Sequence, residues 1–416
     1  MPRSSMLSKA SLAVLAGLAG CAWASPCIVM DSSWNLLAFG FGGKDFSAGT
    51  QDSWTSVSFL KLEALRVALV MMSRGVKCNA NSHPAGNAAD ITTSGRPPFD
   101  GANTTCFLSQ FANAIYVLRG DNANPSAVHI YDATAKSWST QATDAGSFDV
   151  GSAFSILDRD TNVFYSISKG ELWSLDMGDQ KSAKSSSIAW ADQKPVAFPT
   201  DGWNPVGALA NNHVHYLNVP GVAAGSAQIF VIHFSFFQPD AQSYGNFPAA
   251  NGQAFSVFKD PGVQEEFAFV PDDGSATYVI NVINNSTQTL PGPSSKDPKA
   301  SYFASPSALV QLSPSSNAIN FFAYNPNNAN ANKAASWSSV SVLAGKLTSD
   351  SPASGSGSGS ATVSGGSSST RAGTATGAAQ AGSSGNGALP GVGGRSVVAA
   401  VGAAVAAALG GLLAVL

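Results

Sequence analysis

Residues 114–138, AIYVLRGDNANPSAVHIYDATAKSW, constrain the fold more than any other stretch of the chain. Ile115-Tyr116-Val117-Leu118 is a short apolar run of β-formers, and Arg119-Gly120-Asp121-Asn122 breaks it with turn residues. Residues 128–131 start a second run that stops at 132–136, and Trp138 opens a third. Three strands of one antiparallel meander follow. A sheet this small cannot cover its own apolar faces, so neighbouring copies must cover them. The pattern does recur, loosely: Leu36-Leu37-Ala38-Phe39 precedes Gly42-Gly43 and Trp54, Val163-Phe164-Tyr165 precedes Leu172-Trp173 and Trp190, and Phe321-Phe322-Ala323-Tyr324 precedes Trp337.

On these residues the chain resembles the Kelch family of β-propellers. Gly42-Gly43 matches the family's glycine pair, Arg119-Gly120 is a degraded copy of it, and Tyr131 to Trp138 has its aromatic spacing. The resemblance implies an all-β fold, a single β-propeller of six or seven four-stranded blades. Residues 25–348 hold seven blades at roughly 40 to 45 residues each, or six with long loops. Taken in order, blades are expected over 27–59, after 61, and over 107–148, 153–176, 203–237, 255–283 and 308–343. Residues 61–73 read equally as strands or a short helix. Ring closure is expected from 28–30 pairing with 340–343. A sandwich or β-helix built from the same hairpins is the competing architecture.

The start of the chain reads as a secretory signal peptide over 1–24: Arg3 and Lys9, an apolar run over 12–21, and an A-x-A site at Ala22-Trp23-Ala24. The end carries a GPI-anchor pattern: the small trio Asn386-Gly387-Ala388, a spacer over 389–396 and an apolar tail over 397–416. Attachment is expected at Asn386, with Ser384-Gly385-Asn386 an equal candidate trio; a tail-anchored helix is the alternative. Residues 349–388 collapse to Ser, Gly, Ala and Thr, a disordered stalk ending in the attachment region. Together these features resemble fungal-type GPI-anchored cell-surface proteins and predict the outer face of the plasma membrane or the cell wall.

Charged residues make up 11% of the chain and the net charge is −3, against about 25% charged in ordinary domains. With no basic cluster, nucleic acid is excluded as the main partner. Cys27, Cys78 and Cys106 remain after the signal peptide. Cys78–Cys106 is the expected disulfide, since the two flank a polar loop over 79–105; Cys27–Cys106 stays open. Asn103, Asn284 and Asn285 head N-glycosylation sequons.

His213 and His215 share a strand face and His233 lies on the next strand, a set that could hold zinc or copper, although solvated or paired histidines explain it better. Copper-radical oxidases similar to galactose oxidase are the Kelch propellers best known as enzymes, but their Tyr-Cys cross-link and copper ligands find no match here. Asp158-x-Asp160-x-Asn162 lacks the later residues of a calcium loop and reads as a hairpin turn. Arg119-Gly120-Asp121 spells an adhesion tripeptide that turn formation alone explains. Phe236, Phe237, Tyr244 and Phe247 would stack on sugars if exposed. No cofactor or catalytic residue is assigned, so the expected role is non-catalytic binding of an extracellular glycan or protein, with a secreted surface enzyme as the alternative.

Overall fold

The computed structural model describes residues 25–55, 87–259 and 262–346. Within them the strands form six consecutive antiparallel blades, each a meander from the axis outward. Blade 1 is β1 (Cys27–Met30), β2 (Leu36–Phe41), β3 (Lys44–Gly49) and β4 (Ala89–Asp90). Blade 2 is β5 (Thr105–Ser109), β6 (Ala114–Leu118), β7 (Val128–Asp132) and β8 (Ser137–Gln141). After β9 (Thr143–Asp144), blade 3 takes β10 (Phe154–Asp158), β11 (Val163–Ser168) and β12 (Glu171–Asp176); β13 (Ile188–Ala189) pairs with β9, and β14 (Ala191–Pro195) completes the blade. Blade 4 is β15 (Val206–Ala210), β16 (His213–Leu217), β17 (Ser226–Val231) and β18 (Phe236–Phe237), with β19 (Gln242–Ser243) also on β17. Blade 5 is β20 (Gly252–Val257), β21 (Glu266–Pro271), β22 (Ala276–Asn281) and β23 (Ser286–Pro291). Blade 6 is β24 (Ser301–Ala304), β25 (Ala308–Ser313), β26 (Ala318–Ala323) and β27 (Trp337–Ser339), with a short helix α1 (Ala329–Ala334) before its last strand.

The strand sequences explain the stacking. AIYVL of β6 is buried at every position, which an antiparallel strand with one wet face would not be. Alternate side chains serve two interfaces: Ile115 and Val117 join the core shared with blade 1, whereas Tyr116 and Leu118 join the core shared with blade 3. The same division places Phe230 against blade 3 and Ile229 and Val231 against blade 5. It sends Phe322 to blade 5 and Phe321 to blade 1. Each large side chain buried this way contributes about 1.5–3 kcal/mol. The rim strands are polar instead: STQTLP in β23 and ADQKP in β14 leave outer edges unsuited to pairing with another chain.

Blade 1 departs from the sequence reading. Gly42 and Gly43 take φ of 54° and 76°, so the chain reverses in two residues. The third strand is therefore Lys44–Gly49 rather than 54–59. Trp54 instead caps the blade, its indole N–H donating to Gly49 O at 2.8 Å. Among the described residues, β4 pairs with β3 to complete blade 1, and blade 2 begins at Thr105. Residues 56–86, with most of the separate blade expected after residue 61, lie outside the described residues.

The ring closes by contact between β1 and β24, next to the contact of β1 with β5. The expected pairing of 28–30 with 340–343 does not form. β1 is the innermost strand and its ladder partner is β2, with Cys27 opposite Phe39, while Ser341–Leu343 is a 3-10 turn at the rim. That turn seals blade 6 to blade 1 through Val342 N–H and Ser341 Oγ–H, both donating to Trp54 O, at 3.3 and 3.2 Å. Ser307 Oγ–H also donates to Gln51 Oε1 at 2.8 Å.

Candidate functional site

The six inner strands surround a cavity of about 260 Å³ on the propeller axis. Among the described residues it is closed at one end. Where the inner strands begin, Thr105, Phe154, Ser301 and Tyr302 are half-exposed and Gln253 is exposed; where they finish, Leu108, Leu157, Leu209, Gln264 and Ala304 are buried. Arg159, just past β10, forms the floor. Its Nη1–H donates to Gln110 Oε1 of blade 2 at 2.8 Å and its Nη2–H to Gly262 O after β20, so one guanidinium ties three blades together. It also lies 5.7 Å from the Phe258 ring centre, and Phe258 meets Trp34 and Phe303.

The walls mix apolar side chains with Ser155, Ser256 and the hydroxyls near the mouth, and Phe255 is stacked on Tyr302 at 5.1 Å between ring centres. Among the described residues no Asp or Glu lines the pocket, whereas two arginines do. Arg119 sits at the mouth, 6% exposed. Its Nε–H donates to Asn103 O at 3.0 Å, Nη1–H to Ala153 O at 2.8 Å and Val150 O at 3.3 Å, and Nη2–H to Thr105 Oγ1 at 3.1 Å. Every one of these acceptors is neutral. Burial alone pulls this guanidinium down to about 10, with no carboxylate offsetting it. On the floor, Gln264 is 1% exposed and its Oε1 has no hydrogen-bond partner.

Cys27 and Cys106, on the pocket wall, are disulfide-bonded to each other. Cys106 thus takes the second of the two pairings open from sequence, not Cys78, because β1 and β5 are adjacent inner strands with the Cα atoms 5.9 Å apart. Cys78 lies outside the described residues.

The three candidate histidines, His213, His215 and His233, gather in blade 4, away from the axial pocket. His213 lies 5.7 Å from His233 and 6.4 Å from His215, ring centre to ring centre. His215, however, is sealed against Tyr244 and Phe267, and burial pushes it down to about 3. Among the described residues no group of three or more His, Cys, Asp or Glu is arranged to hold a metal ion.

Asp158, Asp160 and Asn162 form the β10–β11 turn, where Asn162 takes a φ of 59°. The adhesion tripeptide is not displayed, since its arginine is the buried Arg119. Asn103, Asn284 and Asn285 are exposed. Of the aromatics expected to meet sugars, Phe237, Tyr244 and Phe247 are buried and Phe236 is 50% exposed. Phe236 has company that sequence reading missed: Phe111, Phe234 and Ile283 are 78%, 75% and 58% exposed. Phe111, Phe234 and Ile283 stand just after a first or third strand and Phe236 opens the fourth strand of blade 4, which puts all four on the closed face of the propeller.

No family model matches the chain, and no curated protein does. Among solved structures, KlHsv2 with loop 6CD replaced by a Gly-Ser linker aligns over 75% of this chain and 96% of its own, at 11% identity and a TM-score of 0.37. That likeness carries no functional argument.

Proposed function

We propose that the chain is a Kelch-like, GPI-anchored cell-surface protein that binds an extracellular glycan or protein without chemically changing it. Residues 349–388 would be its stalk, Asn386 its point of attachment, and the outer plasma membrane or cell wall its location. The binding half of this reading is supported by one observation above all. Phe111, Phe234, Phe236 and Ile283, the large apolar side chains exposed among the described residues, all lie on one face. Scattered exposed apolar groups need no explanation, but collecting them on one side marks a contact surface. Phenylalanine faces suit both sugar rings and protein side chains.

A glycan array probed with the full-length protein tests the glycan form. Binding should drop at least tenfold when Phe111, Phe234 and Phe236 are all changed to Ser, and a blank array rules that form out. Release of the intact protein from membranes by a phosphatidylinositol-specific phospholipase tests the anchor. Retention would refute it.

A further inference from the structure

We propose that the axial pocket binds a small organic carboxylate with an apolar or aromatic body, its carboxylate held by Arg119 at the mouth and a hydroxyl at its far end donating to Gln264 Oε1. This does not rest on the docking face described above, because the pocket opens on the opposite side of the propeller.

Charge sets the ligand class. A buried cation is strongly unfavourable unless something neutralises it. Around Arg119 the chain supplies only carbonyls and a hydroxyl, and among the described residues no acidic one lines the cavity. Four of the guanidinium's partners are accounted for, against five N–H donors. A carboxylate would therefore find both a spare donor and an uncompensated charge. Burial holding the arginine down to about 10 agrees with that want of a counter-ion.

Shape sets the size. The pocket's 260 Å³ is the room of roughly nine waters at about 30 Å³ each, hence a body of about ten non-hydrogen atoms. From Thr105 at the mouth to Leu108 near the floor is three strand residues, about 10 Å. Between them the walls offer Phe107, Ile156, Ala208, Phe255 and Phe303, and the hydroxyls of Ser155 and Ser256 at this level are already bonded to Ser166 and to the Leu209 backbone. At the floor Gln264 Oε1 is an acceptor with no donor, buried against the cavity. A hydroxyl about 10 Å from the carboxylate would satisfy it.

Calorimetric titration of the full-length protein at pH 7 with 4-hydroxycinnamate and octanoate, each beside its neutral alcohol, tests the proposal. Each acid should bind about ten- to a hundredfold tighter than its alcohol, the worth of one charge-assisted hydrogen bond. Arg119→Lys keeps a charge but loses the planar guanidinium that leaves one Nη2–H spare, and should weaken both acids. Gln264→Leu should weaken 4-hydroxycinnamate alone and leave octanoate unchanged, a split that general loss of structure would not produce. Ala254→Phe, which fills the pocket, should abolish binding with the disulfide and the melting transition retained. Alcohols binding as well as acids would overturn the proposal. So would the failure of both acids to bind below about 1 mM, or binding that survives the filled pocket.

Discussion

Removing the Cys27–Cys106 bond should have an effect calculable from the fold. The two cysteines are 79 residues apart in sequence, and a loop of that length, once cross-linked, takes from the unfolded chain conformational entropy worth about 4.5 kcal/mol at 25 °C. The bond also joins the first and second inner strands, beside the seam where blade 1 meets blade 6. A Cys27→Ala, Cys106→Ala double variant, made in a Cys78→Ala background, should therefore lose about 4 kcal/mol against that background. Guanidinium unfolding under oxidising conditions measures the loss. Under a strong reductant the gap should shrink to the small effect of the side-chain changes, because the unfolded chains are then equally free. Peptide mapping by mass spectrometry should recover residues 27 and 106 in one cross-linked product. If Cys78→Ala alone removed most of the stability and the linked product joined 78 to 106, the reasoning would be wrong, and with it the placement of β1 beside β5.

Two further outcomes follow from buried charge. His215 is neutral in the fold, pushed by burial down to about 3 from its ordinary 6.5. Its stabilising contribution is complete above pH 6.5 and lost as pH falls from there toward 3, by up to about 1.4 kcal/mol per pH unit. Between pH 7 and 5, wild type should thus lose about 2 kcal/mol more than His215→Leu in denaturant titrations; equal losses would show that the imidazole is not sealed. Asp45, fully buried, accepts from Arg96 Nε and Nη2 at 2.9 and 2.8 Å and from Gly40 N–H at 3.0 Å. Asp45→Ala strands the arginine and should cost about 3 kcal/mol or more, and a change below about 0.5 kcal/mol, typical of exposed pairs, would contradict the geometry.

Most of the ring was legible because every interface repeats the same demand. An apolar run such as AIYVL, broken by a turn and followed by an aromatic strand, hides its two faces only between neighbours, and this held for blades 2 to 6. Blade 1 was misread because Trp54 looked like a strand opener, whereas the consecutive positive φ values at Gly42 and Gly43 had already turned the chain. The fourth strands were hard to see for a different reason. ADQKP and STQTLP are polar rim segments, and their strand character comes from the partner, not from their own periodicity.

The pocket was barely legible. Arg119 reads as a turn residue and Gln264 as part of a loop; only the ring brings residues so far apart in the sequence around one cavity. Two signals were available in the sequence: an arginine ending a fully apolar strand, in a chain with only 11% charged residues. The disulfide likewise needed the ring, since local loop composition favoured Cys78 while adjacency of inner strands decides for Cys27.

The closed ring is tested most directly across its seam. Gln51 and Ser307 touch through their side chains although 256 residues separate them. With Gln51→Cys and Ser307→Cys introduced in a Cys78→Ala background, a short bis-maleimide spanning about 8 Å, near the distance at which diagonal neighbours in a sheet already lie, should join the two positions within one monomer in high yield. The native disulfide should remain intact. Links found only between molecules, or no link between 51 and 307, would mean that blade 6 does not meet blade 1 and that no ring exists.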